Sequence, residues 1–375
     1  MPKEMPLVRV KIGDDARTIS VAVGGPWRLV GADGDIATGR TLDRTDVQAS
    51  GGGIAFGGVA TADGPVELHP AGNAAVYISM PGRKRCGYRG FLRFLPTRGG
   101  EVRVVNVLPM KSYLAGVVGR EMFASWHVEA LKAQAVAART YVLGRRNARA
   151  RYDFDVYDTP MSQVYGGLDA ETDKTRQAVR ETAGIVATYE SDGRSVLLPA
   201  YYHSTCGGDT VASGMVFGGA TPPPLAGGTR CTYCRQSSRY RWKGEVVLSK
   251  AEITEAMHKS SVPALRTLGP VARVEVASRA GESGRAVRIR LVDAAGRSLL
   301  VRASDWRMLV GSMKVPSTWF WIEDRGDTVA LVNGRGFGHG LGLCQYGAQF
   351  LASHGQKAEQ ILRYYYPGVV LERAY

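Results

Sequence analysis

Apolar and polar residues alternate along the first part of the chain, which predicts strands. Segments such as LVRVKIG, TISVAV, AVYIS and EVRVVNVLP change between apolar and polar side chains at every second position, or contain β-branched runs. Glycine, proline and aspartate residues separate these segments. The pattern is typical of strands that bury one face. We therefore expect a β-rich N-terminal region over residues 1–100, with short strands packed in two layers or in a barrel.

The hydrophobic period changes after Pro109, where helices are expected. One helical face is formed, at spacings of three and four, by Tyr113, Leu114, Val117, Val118 and Glu121. Ser112 is a candidate N-cap for this helix. Residues 127–149 are rich in alanine, leucine, lysine, glutamine and arginine, and they predict the strongest helix of the chain. Further helices are expected near residues 170–181, 250–259, 345–354 and 358–365.

Strand patterns return in the second half of the chain. Residues 245–330 contain the segments VARVEVAS, AVRIRLVD and SLLVRAS, which are rich in β-branched residues. The sequence therefore predicts an α+β fold. Its β-rich N-terminal part is followed by a mixed helical core over residues 101–375, into which a β-rich subdomain is inserted at about residues 245–330.

Length and charge narrow the class of protein. A chain of 375 residues exceeds what one compact domain usually holds, so two or three lobes are expected. Lysine and arginine outnumber acidic residues by 48 to 34, which gives a net charge of +14 and attracts polyanions such as nucleic acid, anionic membranes or acidic wall polymers.

The sequence contains no stretch of about 20 apolar residues that could span a membrane. The first residues, MPKEMPLVRVKIG, also lack the apolar segment of a secretory signal, which indicates either a cytoplasmic protein or a trimmed one.

Glu121 is the first candidate for chemistry. Its neighbours on the helical face are apolar or aromatic, and Phe123 and Trp126 follow it closely. Partial desolvation in such surroundings raises the pKa of a carboxyl group, and a general acid near neutral pH needs that property. The alternative is an exposed glutamate at a helix end, paired with Arg120 or Lys132.

The cysteines suggest a metal site. The chain has five of them: Cys86, Cys206, Cys231, Cys234 and Cys344. The motif HSTC contributes His203 and Cys206, and CTYC contributes Cys231 and Cys234. One imidazole and three thiolates can form a closed tetrahedral zinc site. A disulfide, either Cys231–Cys234 or Cys206 with one of that pair, and unpaired buried thiols are the alternatives, and the two remaining cysteines have no expected partner.

A glycine-rich loop, GRGFGHGLGLCQYGAQF, spans residues 334–350. Glycine occupies every second position from Gly334 to Gly342, with Arg335 and His339 between them. The loop has neither the G-x-G-x-x-G spacing nor the G-K-[ST] ending of nucleotide-binding loops. Alternating glycines allow two backbone segments, or a ligand, to approach closely. The alternative is a purely structural hairpin.

Two long motifs carry a family resemblance. The segment LPMKSYLAGVVGREMFASWHVEALKAQAVAARTYVL resembles the central motif of the SpoIID/LytB family, which comprises stage II sporulation protein D and amidase-enhancer proteins. The segment GRGFGHGLGLCQYGAQFLASHGQKAEQILRYYYPGV resembles the C-terminal signature of that family. The resemblance covers roughly residues 85–375, whereas residues 1–80 match only loosely.

The resemblance implies a lytic transglycosylase. Such an enzyme cleaves the MurNAc-β-1,4-GlcNAc bond of peptide-stripped glycan strands and leaves 1,6-anhydro-MurNAc ends, without using water. The family's catalytic glutamate falls on Glu121, which would act as the single general acid and base, whereas ordinary glycosidases use two carboxylates. The alternative is a non-catalytic wall-binding protein that enhances an N-acetylmuramoyl-L-alanine amidase.

The same resemblance sets the expected partners and location. The glycine loop would form a wall of the glycan cleft, and polar and aromatic residues elsewhere would complete it. The expected substrate contacts are Arg335, His339, Gln345, Tyr346, Gln163 and Tyr201. Zinc would be structural or near the active site. We expect glycan strands and a cell-wall amidase as partners, no nucleic acid, and a place in the cell envelope for a chain that lacks its export signal.

Overall fold

The computed structural model describes residues 4–281 and 284–375. The first three residues of the N-terminal segment, and residues 282–283 of the expected inserted subdomain, lie outside these ranges. The chain divides into two compact units. Unit 1 is Met1–Ala187 with Leu371–Tyr375, and unit 2 is Thr188–Val370. Both contain helices and sheets, so the predicted α+β class is confirmed.

Unit 1 begins with short strands in two packed sheets. The strands are β1 Leu7–Ala16, β2 Thr18–Val23, β3 Trp27–Gly31, β4 Gly34–Gly39, β5 Leu42–Ser50, β6 Gly53–Phe56, β7 Ala60–Asp63, β8 Val66–Pro70, β9 Val76–Ser79, β10 Cys86–Tyr88, β11 Phe91–Pro96, β12 Val102–Pro109 and β13 Val156–Tyr157. One sheet has the order β13-β1-β12-β11-β8-β3-β4, and the other has the order β10-β9-β2-β5-β6-β7. Phe56 and Phe94 meet edge to face between the sheets, with ring centroids 5.3 Å apart.

The helices of unit 1 continue directly from this β structure. They are α1 Met110–Glu121, α2 Val128–Ala148 and α3 Asp173–Glu181. Because α1 packs on β1 and β12, the unit continues past residue 100, where we had expected a boundary. The N-cap of α1 is Pro109 and not Ser112, since the extended end of β12 leads straight into the helix and places Ser112 inside it.

Unit 2 contains the remaining elements, with the unit boundaries falling inside its first and last strands. The strands are β14 Ile185–Ser191, β15 Arg194–Leu197, β16 Tyr202–His203, β17 Val246–Ser249, β18 Val271–Ala280, β19 Arg285–Asp293, β20 Ser298–Arg302, β21 Trp319–Arg325, β22 Thr328–Arg335, β23 Leu343–Cys344 and β24 Val370–Arg373. The helices are α4 Ser213–Phe217, α5 Lys250–His258, α6 Pro263–Arg266, α7 Ala303–Val310, α8 Gln345–Ser353 and α9 Ala358–Tyr365.

The region expected as an inserted subdomain has its own hydrophobic core. Two three-stranded sheets, β17-β22-β21 and β18-β19-β20, surround it together with α5 and α7. Trp306 and Phe320 are fully buried at its centre, with ring centroids 5.9 Å apart. Burial of such rings contributes roughly 2–3 kcal/mol each to stability.

Candidate functional site

Glu121 is the last residue of α1, and a loop follows the helix at this point. Its side chain is half-buried, and the backbone N–H of Val164 donates a hydrogen bond to its Oε1 at 2.8 Å. Lys132, one of the cations considered as its partner, instead binds Glu129 and Glu181 at 2.8 and 2.5 Å. A backbone donor therefore positions the Glu121 carboxyl group.

The loop that carries Val164 is anchored from both sides by buried side chains. Tyr113 of α1 donates from its hydroxyl to Gln163 Oε1 at 2.9 Å, and Gln163 Nε2 donates to the Ala138 carbonyl at 3.3 Å. Tyr165 donates to Asn106 Oδ1 at 3.0 Å. Burial raises the pKa of Tyr113 well above its usual value, and the nearby Tyr141 and Glu121 add to the shift, so the hydroxyl remains a proton donor.

The structure corrects the expectation that Gln163 contacts substrate. Its side chain has no exposed surface, and both ends of its amide are hydrogen-bonded inside unit 1. Gln163 therefore fixes the neighbouring Val164 N–H and does not line a cleft.

Two glycines in α1 let this loop approach the helix. A Cβ at Gly119 would lie 1.9 Å from the Ala170 carbonyl oxygen, and one at Gly116 would lie 2.6 Å from the Tyr165 ring. Both glycines lie on the side of α1 that faces the loop, where a Cβ would not fit. This close approach explains why the interior of α1 contains glycine in spite of its low helix propensity.

Replacing Gly119 with alanine is therefore expected to push the loop away from α1. We expect a loss of about 1–3 kcal/mol in the free energy of unfolding, as is usual for overpacking, measured by chemical denaturation. Gly144→Ala is the matched control, because Gly144 lies in α2 and a Cβ there would meet nothing within 4 Å. Its free energy of unfolding should stay level or rise slightly, and an equal loss in both variants would contradict this packing.

Unit 2 holds a cluster of buried thiols. Cys206, Cys231, Cys234 and Cys344 each have no exposed surface, and their Sγ atoms all lie within 4.8 Å of one another. The Cys206 and Cys234 Sγ atoms are 3.4 Å apart. All five cysteines of the chain are free of disulfide bonds. The cluster brings together one ligand atom from each of four buried side chains and could bind a metal ion.

Polar groups surround the sulfur atoms. The backbone N–H of Cys206 donates to Cys344 Sγ at 3.3 Å, and that of Gly208 donates to Cys206 Sγ at 3.4 Å. Hydrogen bonds from Cys206 and the other two thiols strongly lower the pKa of Cys234, whereas burial raises the pKa of Cys206 and of Cys344. Backbone N–H groups thus already donate to two of the four sulfur atoms.

The fourth member of the cluster is Cys344 and not His203. The pairing of β16 with β23 is parallel and sets His203 opposite Cys344, so a residue distant in sequence reaches the other three thiols. The His203 ring instead directs Nδ1 to the Leu341 carbonyl at 2.9 Å, which leaves Nε2 buried without a hydrogen bond. Burial, reinforced by Arg285, lowers the pKa of His203 to about 4, so its imidazole is neutral.

The glycine loop packs against the segment that contains His203 and Cys206. Phe337 and Thr205 exchange backbone hydrogen bonds of 2.8 and 3.1 Å. A Cβ at Gly336 would lie 2.8 Å from the Thr205 and Cys206 carbonyl oxygens, and Gly336 has a φ of +77°. The bare backbone of the loop therefore serves the close approach of two chain segments beside the thiol cluster.

The substrate contacts expected in unit 2 have different surroundings. His339 is half-buried and its Nδ1 accepts a hydrogen bond from the Leu341 N–H at 2.9 Å. Burial and nearby cationic groups hold the pKa of His339 well below its usual value. Tyr201 is half-buried, with its ring 6.0 Å from that of His339. Tyr346 is also half-buried, and its backbone N–H bonds to the Ser204 carbonyl.

The two other substrate contacts expected in unit 2, Gln345 and Arg335, differ in their exposure to solvent. Gln345 is only 5% exposed, which contradicts a role on an open cleft wall, because α8 turns this first residue into the core. Arg335 ends β22, and its guanidinium group lies over the Trp319 ring, 5.3 Å from the centroid. It is half-buried and remains accessible to a ligand.

Comparison with known proteins defines the class. A family model described as Stage II sporulation protein, SpoIID, matches residues 98–189, which include α1, Glu121 and the Val164 loop. A second model, a domain of unknown function termed DUF8618, matches residues 231–342. Both units thus contain a recognised family region.

Curated relatives agree with the first model. The chain is 30% identical over 286 residues to stage II sporulation protein D of Bacillus subtilis, covering 72% of this chain and 76% of that protein. It is 34% identical over 286 residues to an uncharacterized protein of Brachyspira hyodysenteriae, covering 75% and 71%. It is 31% identical over 293 residues to the amidase enhancer of Bacillus subtilis, covering 69% of this chain but 40% of that protein. The chain belongs to the SpoIID family.

Proposed function

We propose that this protein is a peptidoglycan lytic transglycosylase with Glu121 as its single general acid and base. The observation that carries the proposal is the position of Glu121 within the region matched by the SpoIID model, with its carboxyl group oriented by the Val164 N–H at 2.8 Å.

The surrounding carboxylates support a mechanism with one carboxyl group. Glu129, which follows Glu121 most closely in sequence, binds Lys132 at 2.8 Å. Asp158 and Glu171, which come before and after Val164 in the chain, bind arginines at 2.6 and 2.8 Å, and Asp169 between Val164 and Glu171 is exposed. Hydrolytic glycosidases need a second available carboxylate for a water or a covalent intermediate. An intramolecular reaction does not need one.

The proposed reaction uses the substrate's own hydroxyl group as nucleophile. The Glu121 carboxyl group protonates the glycosidic oxygen of the leaving GlcNAc, and the resulting carboxylate accepts the proton of the muramoyl 6-hydroxyl. That oxygen forms a bond to the anomeric carbon of its own ring as the glycosidic bond breaks. The glutamate ends the cycle protonated, and one strand carries a 1,6-anhydro-MurNAc end.

We infer that zinc is the metal held by the four cysteines. A zinc–sulfur bond of about 2.3 Å in a tetrahedron gives sulfur–sulfur edges of about 3.8 Å. The Cys206 and Cys234 Sγ atoms are 3.4 Å apart and all four Sγ atoms lie within 4.8 Å of one another, which brackets that value. Four thiolates leave no open coordination position, so the metal would crosslink unit 2 and would not activate a substrate.

A second candidate function has its own support. One relative is named an amidase enhancer, so this chain could instead bind the wall and stimulate a separate amidase. In both functions the substrate lies in the cell envelope, and the +14 charge suits its acidic polymers. Within the described residues, no helix combines the length and apolar character needed to cross a bilayer.

One experiment separates the two functions. Peptide-free glycan strands and intact peptidoglycan are incubated with the protein, with its Glu121→Ala variant, and with either protein plus a purified cell-wall amidase. A lytic transglycosylase produces new glycan ends alone, and the variant does not. An enhancer produces no ends alone, and both proteins stimulate amidase release of peptides equally.

A further inference from the structure

Unit 2 contains a cavity that the proposed reaction does not use. Its volume is about 650 Å³, within the range of small-ligand sites. It is formed between the segment before β17 and the strands β21 and β22, inside the region matched by the model of unknown function. Its main side chains are Arg241, Trp242, Trp321, Asn333 and Arg335.

Two arginines on neighbouring segments line this cavity, and the Arg335 guanidinium also stacks on the Trp319 ring. Arg241 and Arg335 are partners in an antiparallel β-bridge, so their side chains leave the same face of neighbouring segments. Like charges in directly opposed positions destabilise a sheet unless a counter-charge lies between them. Within residues 4–281 and 284–375, neither arginine forms an ion pair. Glu245, the acidic residue on the cavity wall, is bound by Arg325 through two contacts of 2.7 and 2.8 Å.

A second pair of opposed arginines in unit 2 has a carboxylate that balances its charge. Arg288 and Arg302 face one another between β19 and β20, and Arg302 binds Asp305 at 2.7 Å. The pair at the cavity has no such protein carboxylate in the described chain. A ligand carboxylate would supply the missing charge, and two guanidinium groups can bind it through paired N–H donors.

Aromatic side chains beside the arginines offer a surface for sugar rings. Trp321 is 41% exposed, and Arg279 stacks on it with its guanidinium carbon 4.8 Å from a ring centroid. Trp242 is held by a hydrogen bond from its Nε1 to the Gly336 carbonyl at 2.9 Å. A Cβ at Gly334 would lie 2.0 Å from the Trp242 ring, so this glycine allows the ring to rest on the backbone. The aromatic surfaces are therefore fixed before any ligand binds.

We propose that this cavity is a second saccharide-binding site, in which Arg241 and Arg335 bind the carboxylate of an acidic sugar while a neighbouring ring packs on Trp321. The choice of a glycan rests on the proposed function, because peptide-stripped strands present a lactyl carboxylate on each muramoyl residue. The site lies wholly in unit 2, whereas Glu121 lies in unit 1.

The test measures binding in the full-length chain carrying Glu121→Gln, so that bound strands are not consumed. Peptide-free glycan oligosaccharides and neutral GlcNAc oligosaccharides of equal length are titrated by calorimetry. Adding Arg335→Gln is expected to weaken binding of the acidic glycan by about tenfold or more, as for loss of a charge-assisted hydrogen-bonded pair. Binding of the neutral oligosaccharide should change little.

Matched variants separate this site from general charge effects. Arg290→Gln removes an exposed arginine of β19 that lies outside the cavity, and it should leave acidic glycan binding unchanged. Trp321→Ala should weaken both oligosaccharides, because it removes the ring surface. Far-UV circular dichroism of each variant confirms that the fold is retained, and Arg335→Lys should recover part of the binding by restoring the charge.

Different binding results would overturn the acidic-saccharide site and the proposed lytic transglycosylase. Equal binding of acidic and neutral oligosaccharides, or equal losses in Arg335→Gln and Arg290→Gln, would overturn the acidic-saccharide site. Stronger competition by inorganic phosphate than by acetate would also overturn it, in favour of a phosphate site. Arg335-dependent binding by a protein whose wild type makes no glycan ends would support this site while refuting the lytic transglycosylase.

Discussion

Replacing Cys344 with serine is expected to prevent the proposed zinc binding and to unfold much of unit 2. Cys344 joins β23 and α8 to the Cys206 and Cys231–Cys234 segments through a fully buried cluster. Binding of a structural zinc is worth on the order of 10 kcal/mol, which is comparable to the whole stability of a domain. Without the fourth ligand, the three remaining cysteines would bind the metal weakly, and the segments that carry them would lose this crosslink.

The measurement is the zinc content of the purified variant, together with its thermal unfolding followed by tryptophan fluorescence. The wild type should bind one zinc per chain, and Cys344→Ser should bind much less and unfold at a lower temperature. Cys86→Ser is the matched control, because Cys86 lies outside the cluster and its Sγ donates to the Gly166 carbonyl at 3.3 Å. It should retain the metal.

His203→Ala distinguishes the two possible ligand sets. In the structure His203 binds the Leu341 carbonyl and not the thiol cluster, so this variant should keep its zinc. Loss of zinc from His203→Ala, with full retention in Cys344→Ser, would restore the ligand set expected from the HSTC and CTYC motifs. A zinc-to-protein ratio near zero in the freshly prepared wild type would refute the metal altogether.

The second large effect is expected for Glu121→Gln, which should lower glycan cleavage by about 10²–10⁴-fold, as for loss of a general acid. The amide oxygen can still accept the Val164 N–H, so the loop and the free energy of unfolding should change little. The initial rate of formation of new glycan ends measures the effect. The same loss should appear at every glycan concentration, because the variant lacks a proton donor and not a binding group.

Glu129→Gln is the control for that measurement. Glu129 is a neighbouring carboxylate that binds Lys132, so its variant should lose some stability but keep most of its cleavage rate. If Glu129→Gln abolished cleavage as fully as Glu121→Gln, a mechanism with two carboxylates would replace the proposed one.

The sequence predicted those parts of the molecule that depend on local pattern. Apolar and polar residues alternate over several positions of β1 and β12, and apolar residues repeat along one face of α1 and α2. Several residues therefore indicate the same type of element in each case. Glu121 could be chosen because its motif is continuous in the chain. The Pro109 N-cap was missed because the strand leads into α1 with no polar capping residue.

The errors at the candidate site come from contacts between distant segments. Gln163 looked suited to a sugar cleft because it lies among polar and aromatic residues, but its partners Tyr113 and Ala138 belong to two separate helices. Cys344 was missed because only the parallel pairing of β16 with β23 brings it to Cys206. One signal was present in the sequence: Cys344 and the three central cysteines make four thiols, the number that a closed thiolate site requires.

Mass spectrometry of the products from peptide-free glycan strands tests the central claim most directly. The protein is predicted to release fragments lighter than the hydrolytic products by the mass of one water molecule, since the muramoyl 6-hydroxyl closes on its own ring. The Glu121→Gln variant should release none. Fragments at the hydrolytic mass would contradict the proposed chemistry and would require a second carboxylate in the reaction.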